Sequence, residues 1–163
     1  MNNISTTVWI NSIVELLTEA YDGPPDPSST WFIDNEPDSG ILGLLAGISA
    51  AGASTSVDSS GESGTTIASH VEHLRWSLAR SNAAMRDEPF QEDWKESWRL
   101  LLVDNAEWDR LRSRLRSEFE TLRQAIESQT ELTEQDLTWV MALLPHAAYH
   151  LGTIRQMIER VRQ

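Results

Sequence analysis

The chain contains no cysteine. That absence removes disulfides, cysteine nucleophiles and thiolate metal sites together. Any metal must then be held by histidine nitrogen and by oxygen. Positive charge is scarce as well: 13 basic residues face 25 acidic ones, giving a net charge of −12. Such a surface repels phosphate backbones and anionic headgroups, so neither nucleic acid nor a membrane surface is an expected partner. Lysine occurs once, at Lys95, and every other base is arginine; that imbalance by itself assigns nothing. Long apolar runs are missing too. The longest low-polarity stretch, residues 40–53, is too short and too rich in glycine to span a bilayer. Residues 1–7 hold neither a basic segment nor an apolar one, so no secretory signal is read there. The expectation is a soluble cytoplasmic protein.

What is present reads as helix. With 163 residues, 40% of them hydrophobic, the chain is long enough for one domain, residues 1–163, with a proper core. Ile10, Ile13, Val14, Leu17 and Tyr21 follow the helical period and predict a helix over about residues 6–21, stopped by Gly23, Pro24 and Pro25. The proline-rich segment 22–37 reads as a loop that Trp31 and Phe32 pin to the body. A weaker helix is expected over about residues 38–51 with Asp38 or Ser39 as its cap. Residues 52–64, rich in serine and glycine, read as a surface loop.

Ile67, Val71, Leu74 and Leu78 mark a second long helix over about residues 65–85. The tryptophan-bearing stretch 86–103 is irregular, with a short helix expected over about residues 91–101. Trp108, Leu111, Leu115, Phe119, Leu122 and Ile126 define a third long helix, about residues 105–128, capped by Asp104 or Asn105. The fourth covers about residues 134–162, with Thr133 as its cap and Pro145 expected to kink it. Two apolar stripes are read on it: one through Leu137, Met141, Leu144, Ala148 and Leu151, the other through Leu143, Ala147, Ile154, Met157 and Val161. No run has the pattern of a useful strand. The fold class is therefore all-α: a four-helix bundle with an extra short helix and long loops.

The chemistry-bearing pattern lies in the histidines, of which the chain has four. His146 and His150 are four apart in Pro145-His146-Ala147-Ala148-Tyr149-His150-Leu151-Gly152-Thr153-Ile154, so they share one helix face about 6 Å apart. His70 and His73 lie on the second long helix, in Thr66-Ile67-Ala68-Ser69-His70-Val71-Glu72-His73-Leu74. If one of that pair meets His146 and His150, three imidazoles converge on one ion and leave positions for water or substrate. A bound ion could lower the pKa of its water or orient another nucleophile. The bland reading is partly buried histidines bonded to backbone, since many helices carry two histidines four apart. Neutral imidazole is required, so acidification through about pH 6 should release the metal.

The stretch from His146 to Ile154 resembles the last-helix signature of the DinB-like superfamily, small helical proteins unrelated to the polymerase that shares the label. Thr66-Ile67, followed six residues later by His73-Leu74, resembles that family's second-helix motif. The order of elements is also similar, so the resemblance spans most of the chain, loosely in its N-terminal half. It implies a four-helix bundle holding a divalent ion, zinc or nickel, on three histidines, which here are His73, His146 and His150. Members are often homodimers. Relatives include bacillithiol S-transferases and mycothiol-dependent maleylpyruvate isomerases, in which the metal is thought to activate a low-molecular-weight thiol.

Periodicity alone favours His70 as the inward residue of its pair, while the family spacing selects His73. His70 is then a residue behind the ligands or in the packing. Trp76 and Tyr149 are candidates to line a pocket, with core packing as their ordinary fate. Arg155 is a candidate anion contact, more commonly a surface ion pair. Glu72 is a weak candidate base on the outer side of its helix. The function implied is a metal-dependent enzyme acting on a small molecule, a thiol S-transferase or hydrolase. The alternative is a non-catalytic stress-related or binding protein with a structural metal or none.

Overall fold

The structure, a computed structural model, describes residues 5–36, 38–58, 60 and 64–162. Residues 1–4 of the N-terminal reading, Pro37 of the proline-rich loop, and residues 59 and 61–63 of the serine-glycine loop lie outside the described residues. Every named element is helical: α1 (Thr6–Asp22), α2 (Ile41–Ala46), α3 (Ala50–Ala53), α4 (Ile67–Met85), α5 (Asn105–Glu127) and α6 (Glu134–Val161), with a 3-10 turn at Glu96–Trp98. Among the described residues the only β pairing is an isolated bridge between Asp26 and Ser29. No described helix is long and apolar enough to cross a membrane.

The long helices begin where their caps dictate. Asp104 accepts the Glu107 amide at 2.7 Å, and Glu107 returns the favour to the Asp104 amide at 2.9 Å, closing a capping box at the start of α5. Thr133 and Asp136 do the same for α6. α1 ends at Gly23, whose φ of +103° suits a residue without Cβ. α4 packs on α5 and α6, and α1 packs on the same two helices, so the four long helices enclose one core. All six apolar residues read as the inner face of α5 are buried, with Phe119 stacked on Tyr21 at 4.4 Å between ring centres.

Several elements differ from the sequence reading. The helix expected over residues 38–51 is two short helices, and the first starts from Gly40 rather than from Asp38 or Ser39. Asp38 has a φ of +58°, outside the helical region. The helix expected over residues 91–101 is reduced to the 3-10 turn. That segment is held by side chains of α4 instead of by its own ladder: buried Arg75 bonds the Glu92 carboxylate at 2.6 Å, and Trp76 Nε1 donates to the Glu92 carbonyl at 3.1 Å.

α6 buries one face, through Val140, Leu143, Ala147, His150, Leu151, Ile154, Met157 and Ile158. Of the stripe read through Leu137, Met141, Leu144, Ala148 and Leu151, Leu151 is buried and Leu137 and Leu144 pack half-buried against the core, while Met141 and Ala148 face outward. The helix runs on through Pro145. Nor do Trp31 and Phe32 pin their loop by burial, since they are 67% and 44% exposed. The loop is instead clasped by the buried Glu19 carboxylate, which accepts the backbone N–H groups of Trp31, Phe32 and Ile33 at 2.9–3.0 Å.

Candidate metal centre

α4 is covered nearly all round. Its neighbours α5 and α6 and the segment that carries the 3-10 turn bury Ala68, Ser69, His70, Val71, His73, Leu74, Arg75 and Trp76 in succession. Both members of the first histidine pair are therefore inside, and the periodicity that favoured His70 could not separate them. His73 is the one that meets the α6 pair. A ring nitrogen from each of His73, His146 and His150 lies within 4.8 Å of the others. His73 and His150 are buried and His146 is half-buried. Among the described residues this group has no fourth histidine or carboxylate.

The hydrogen bonds behind the rings determine where their protons sit. Ser97 donates its one hydroxyl hydrogen to the Trp94 carbonyl at 2.6 Å. Toward His73 Nδ1, 2.8 Å away, the same hydroxyl can then only accept. His73 Nδ1 carries the proton, and its Nε2 is left as a bare lone pair.

A second chain starts at the Gly64 carbonyl, which accepts from His70 Nε2 at 3.0 Å. In a neutral His70 the other nitrogen, Nδ1, is an acceptor, and it lies 2.9 Å from His150 Nδ1. His150 must donate there, which leaves its Nε2 bare as well. His146 Nε2 is 3.3 Å from His73 Nε2. Two nitrogens bound at about 2.05 Å to one tetrahedral zinc ion are themselves about 3.3 Å apart. His146 Nδ1 makes no hydrogen bond among the described residues, so that ring can carry its proton on the far side. The donor set, its spacing and its proton arrangement fit a divalent ion that accepts imidazole.

Electrostatics favour the same state. Burial pushes the His73 imidazole down to about 4, with His146 and then His70 adding to the effect. Burial pushes His150 further, to about 2, with smaller contributions from the other three histidines. His70 and His146 are also lowered by burial. The rings are neutral ligands well below neutral pH.

Aromatic side chains brace the group. Trp98 stacks on His73 at 4.0 Å between centres, and its ring also lies 5.2 Å from that of His70. Trp76 lies parallel to His73 at 5.9 Å. Next to them opens a cleft of about 660 Å³. His70, Trp98 and Tyr149 each touch that cleft on one side and a histidine of the three-histidine cluster on the other.

Tyr149 thus takes the lining position considered for it, with its ring 5.0 Å from that of His150. Trp76 does not: it is buried behind His73, with its N–H committed to Glu92. Arg155 bonds Asp34 at 2.8 Å and the Ser39 carbonyl at 2.7 Å, tying the 31–39 loop to α6. Glu72 is engaged in a two-point pair with Arg75 at 2.7 and 2.9 Å. Sequence reasoning missed Ser97, Trp98 and the Gly64 carbonyl. The aromatic spacing of Trp94 and Trp98 was a signal; a backbone carbonyl leaves none.

Comparison with known proteins returns no match to a family model, a curated protein or a solved structure.

Proposed function

We propose that the chain is a metalloprotein of the DinB-like type, holding one divalent ion, zinc or nickel, on His73, His146 and His150. In this reading it is an enzyme, a thiol S-transferase or a hydrolase. The observation that carries it is the convergence of three lowered-pKa imidazoles within 4.8 Å beside a cleft of small-molecule size. When bound, the ion supplies Lewis acidity that lowers the pKa of a thiol or water. The chain's own residues do the rest. Ser97 and His70 hold the His73 and His150 rings with their lone pairs forward. Trp98 flanks both rings and Trp76 the His73 ring, and the cleft that would take the reactant lies on the other side of His70, Trp98 and Tyr149 from the three nitrogens.

A structural metal asks for four protein donors, whereas this group has three among the described residues, which favours the catalytic reading over the structural one. A chain without cysteine must draw any thiol from outside, so a low-molecular-weight thiol fits as cosubstrate. The homodimer belongs to the same reading.

The test begins with metal-free, untagged protein titrated with zinc and with nickel. One ion per chain is expected, and none in the His146→Ala, His150→Ala double variant. Stoichiometric metal in that variant would overturn the site. A panel of thiols with electrophiles, run with and without chelator, then tests catalysis; turnover that survives complete metal removal contradicts a catalytic metal.

A further inference from the structure

We propose that the cleft takes a small organic monocarboxylate, with Lys95 receiving the carboxylate and the aromatic walls receiving a planar apolar body. The proposal names a substrate class for the site above. It depends on the metal reading only for the fate of the bound molecule.

The charge around the cleft is the first observation. The chain carries 25 acidic residues against 13 basic ones, yet no described residue lining the cleft is acidic. Two lining residues, Lys95 and Arg99, are cations. The lining thus has the opposite sign to the chain's net charge of −12, as does the neighbouring opening lined by Arg160, but here two cations stand together. An organic anion meets a more favourable field here than the net charge alone would give it.

Lys95 is the free member of the pair. Arg99 is engaged by Glu96 at 2.6 Å. Among the described residues the Lys95 ammonium has no ion-pair partner. Of its acidic neighbours in sequence, the adjacent Glu96 is taken by Arg99, and Asp93 turns a carboxylate oxygen to the Lys95 backbone N–H at 3.0 Å. The only lysine in the chain therefore stands exposed and unneutralised on the rim. A single ammonium balances a single negative charge, which suits a carboxylate better than a phosphate dianion.

The walls supply the second half of the recognition. Trp94, Trp98 and Tyr149 offer flat apolar surface, and Trp94 and Tyr149 remain exposed without a ligand. Aromatic walls also attract organic cations. The uncompensated Lys95 ammonium, and the lack of a lining carboxylate among the described residues, oppose that occupant. A volume of about 660 Å³ matches a small molecule rather than a polymer.

The experiment uses the full chain stripped of metal, so that ligation by a metal ion cannot mimic the effect. Calorimetric titrations compare 2-naphthoate with the neutral, nearly isosteric 2-naphthamide. Naphthoate is expected to bind about tenfold more tightly, the scale of one charge-assisted hydrogen bond. Raising salt from about 50 mM to about 500 mM should weaken naphthoate alone. Lys95→Met, at an exposed position that leaves the core intact, should abolish the preference, and Lys95→Arg should restore most of it.

Equal affinity for the two probes, a preference that survives Lys95→Met, or no binding of either probe at millimolar concentration would each overturn the proposal. Zinc stoichiometry measured on the same preparation reads the metal centre independently. Carboxylate preference without metal uptake defeats only the metal centre, and metal uptake without carboxylate preference defeats only this inference.

Discussion

His70 and His150 face each other nitrogen to nitrogen, Nδ1 to Nδ1, at 2.9 Å. With the Gly64 carbonyl on the far side of His70 at 3.0 Å, the contact has one consistent proton arrangement in neutral rings, and it turns the His150 lone pair toward His73 and His146. His70 is thus a positioning residue. His70→Phe keeps the bulk of the ring and removes the hydrogen bond. Zinc affinity should fall about 10- to 100-fold while saturation still reaches one ion per chain. A competition titration against a chromophoric chelator measures both, and unchanged affinity would refute the role.

Ser97 performs the matching task for His73. Ser97→Ala frees that ring to exchange tautomers and removes the tie to the 3-10 turn. Zinc affinity should fall about tenfold. In the metal-free protein, nitrogen-detected NMR of the His73 ring should change from one tautomer to a mixture. A single unaltered tautomer in the variant would show that the hydroxyl does not select it.

The four lowered histidines make stability depend on pH in a definite direction. Unfolded imidazoles titrate near about 6.5, while burial holds His73 near 4, His150 near 2, and His70 and His146 below their ordinary value. Below about 6.5 the unfolded chain binds more protons than the folded one, so folded stability is full above that pH and falls as pH drops toward 4. The metal-free protein should show a lower Tm at pH 5 than at pH 7.5 by calorimetry in chelator, and a flat or rising profile contradicts this. The same depression moves the acid edge of metal release below the pH 6 expected for ordinary imidazoles. Equilibrium dialysis of zinc between pH 4 and 7 reads that edge.

Glu19 is wholly buried, and its carboxylate is the acceptor for three consecutive backbone N–H groups. Glu19→Ala leaves those donors without their partner. A loss of about 2–4 kcal/mol in unfolding free energy is expected, since bonds to a charged acceptor are among the stronger ones. Urea denaturation measures it, and a change below about 0.5 kcal/mol would mean that the clasp contributes little.

The long helices were legible because each repeats its instruction. α5 carries six inward residues at helical spacing and a capping box, and its ends fall within a residue of the sequence reading. The crossing from α4 to α5 was not legible. Its order comes from Arg75, Trp76 and His73, which lie between 16 and 24 residues away along the chain, and local pattern carries no trace of such bonds. The choice between His70 and His73 exposes the same limit. A helix covered nearly all round in the half that carries both histidines has no dry stripe to consult there, and only the position of α6 separates the residue that joins the cluster from the one that stands behind it. On α6 the opposite happened: Met141 is apolar but faces water, so hydrophobicity alone overcounted the inner face.

The bonds that set the proton positions of the clustered rings each end on a connection rather than on a rod: that of His73 on Ser97 in the crossing after α4, and that of His150, relayed through His70, on the Gly64 carbonyl in the approach to it. Grafting α4 and α6 onto a foreign scaffold would carry across the nitrogen donors without the memory of which atom is protonated. Diversification that rewrote these linkers would preserve a silhouette and erase the placement of its protons.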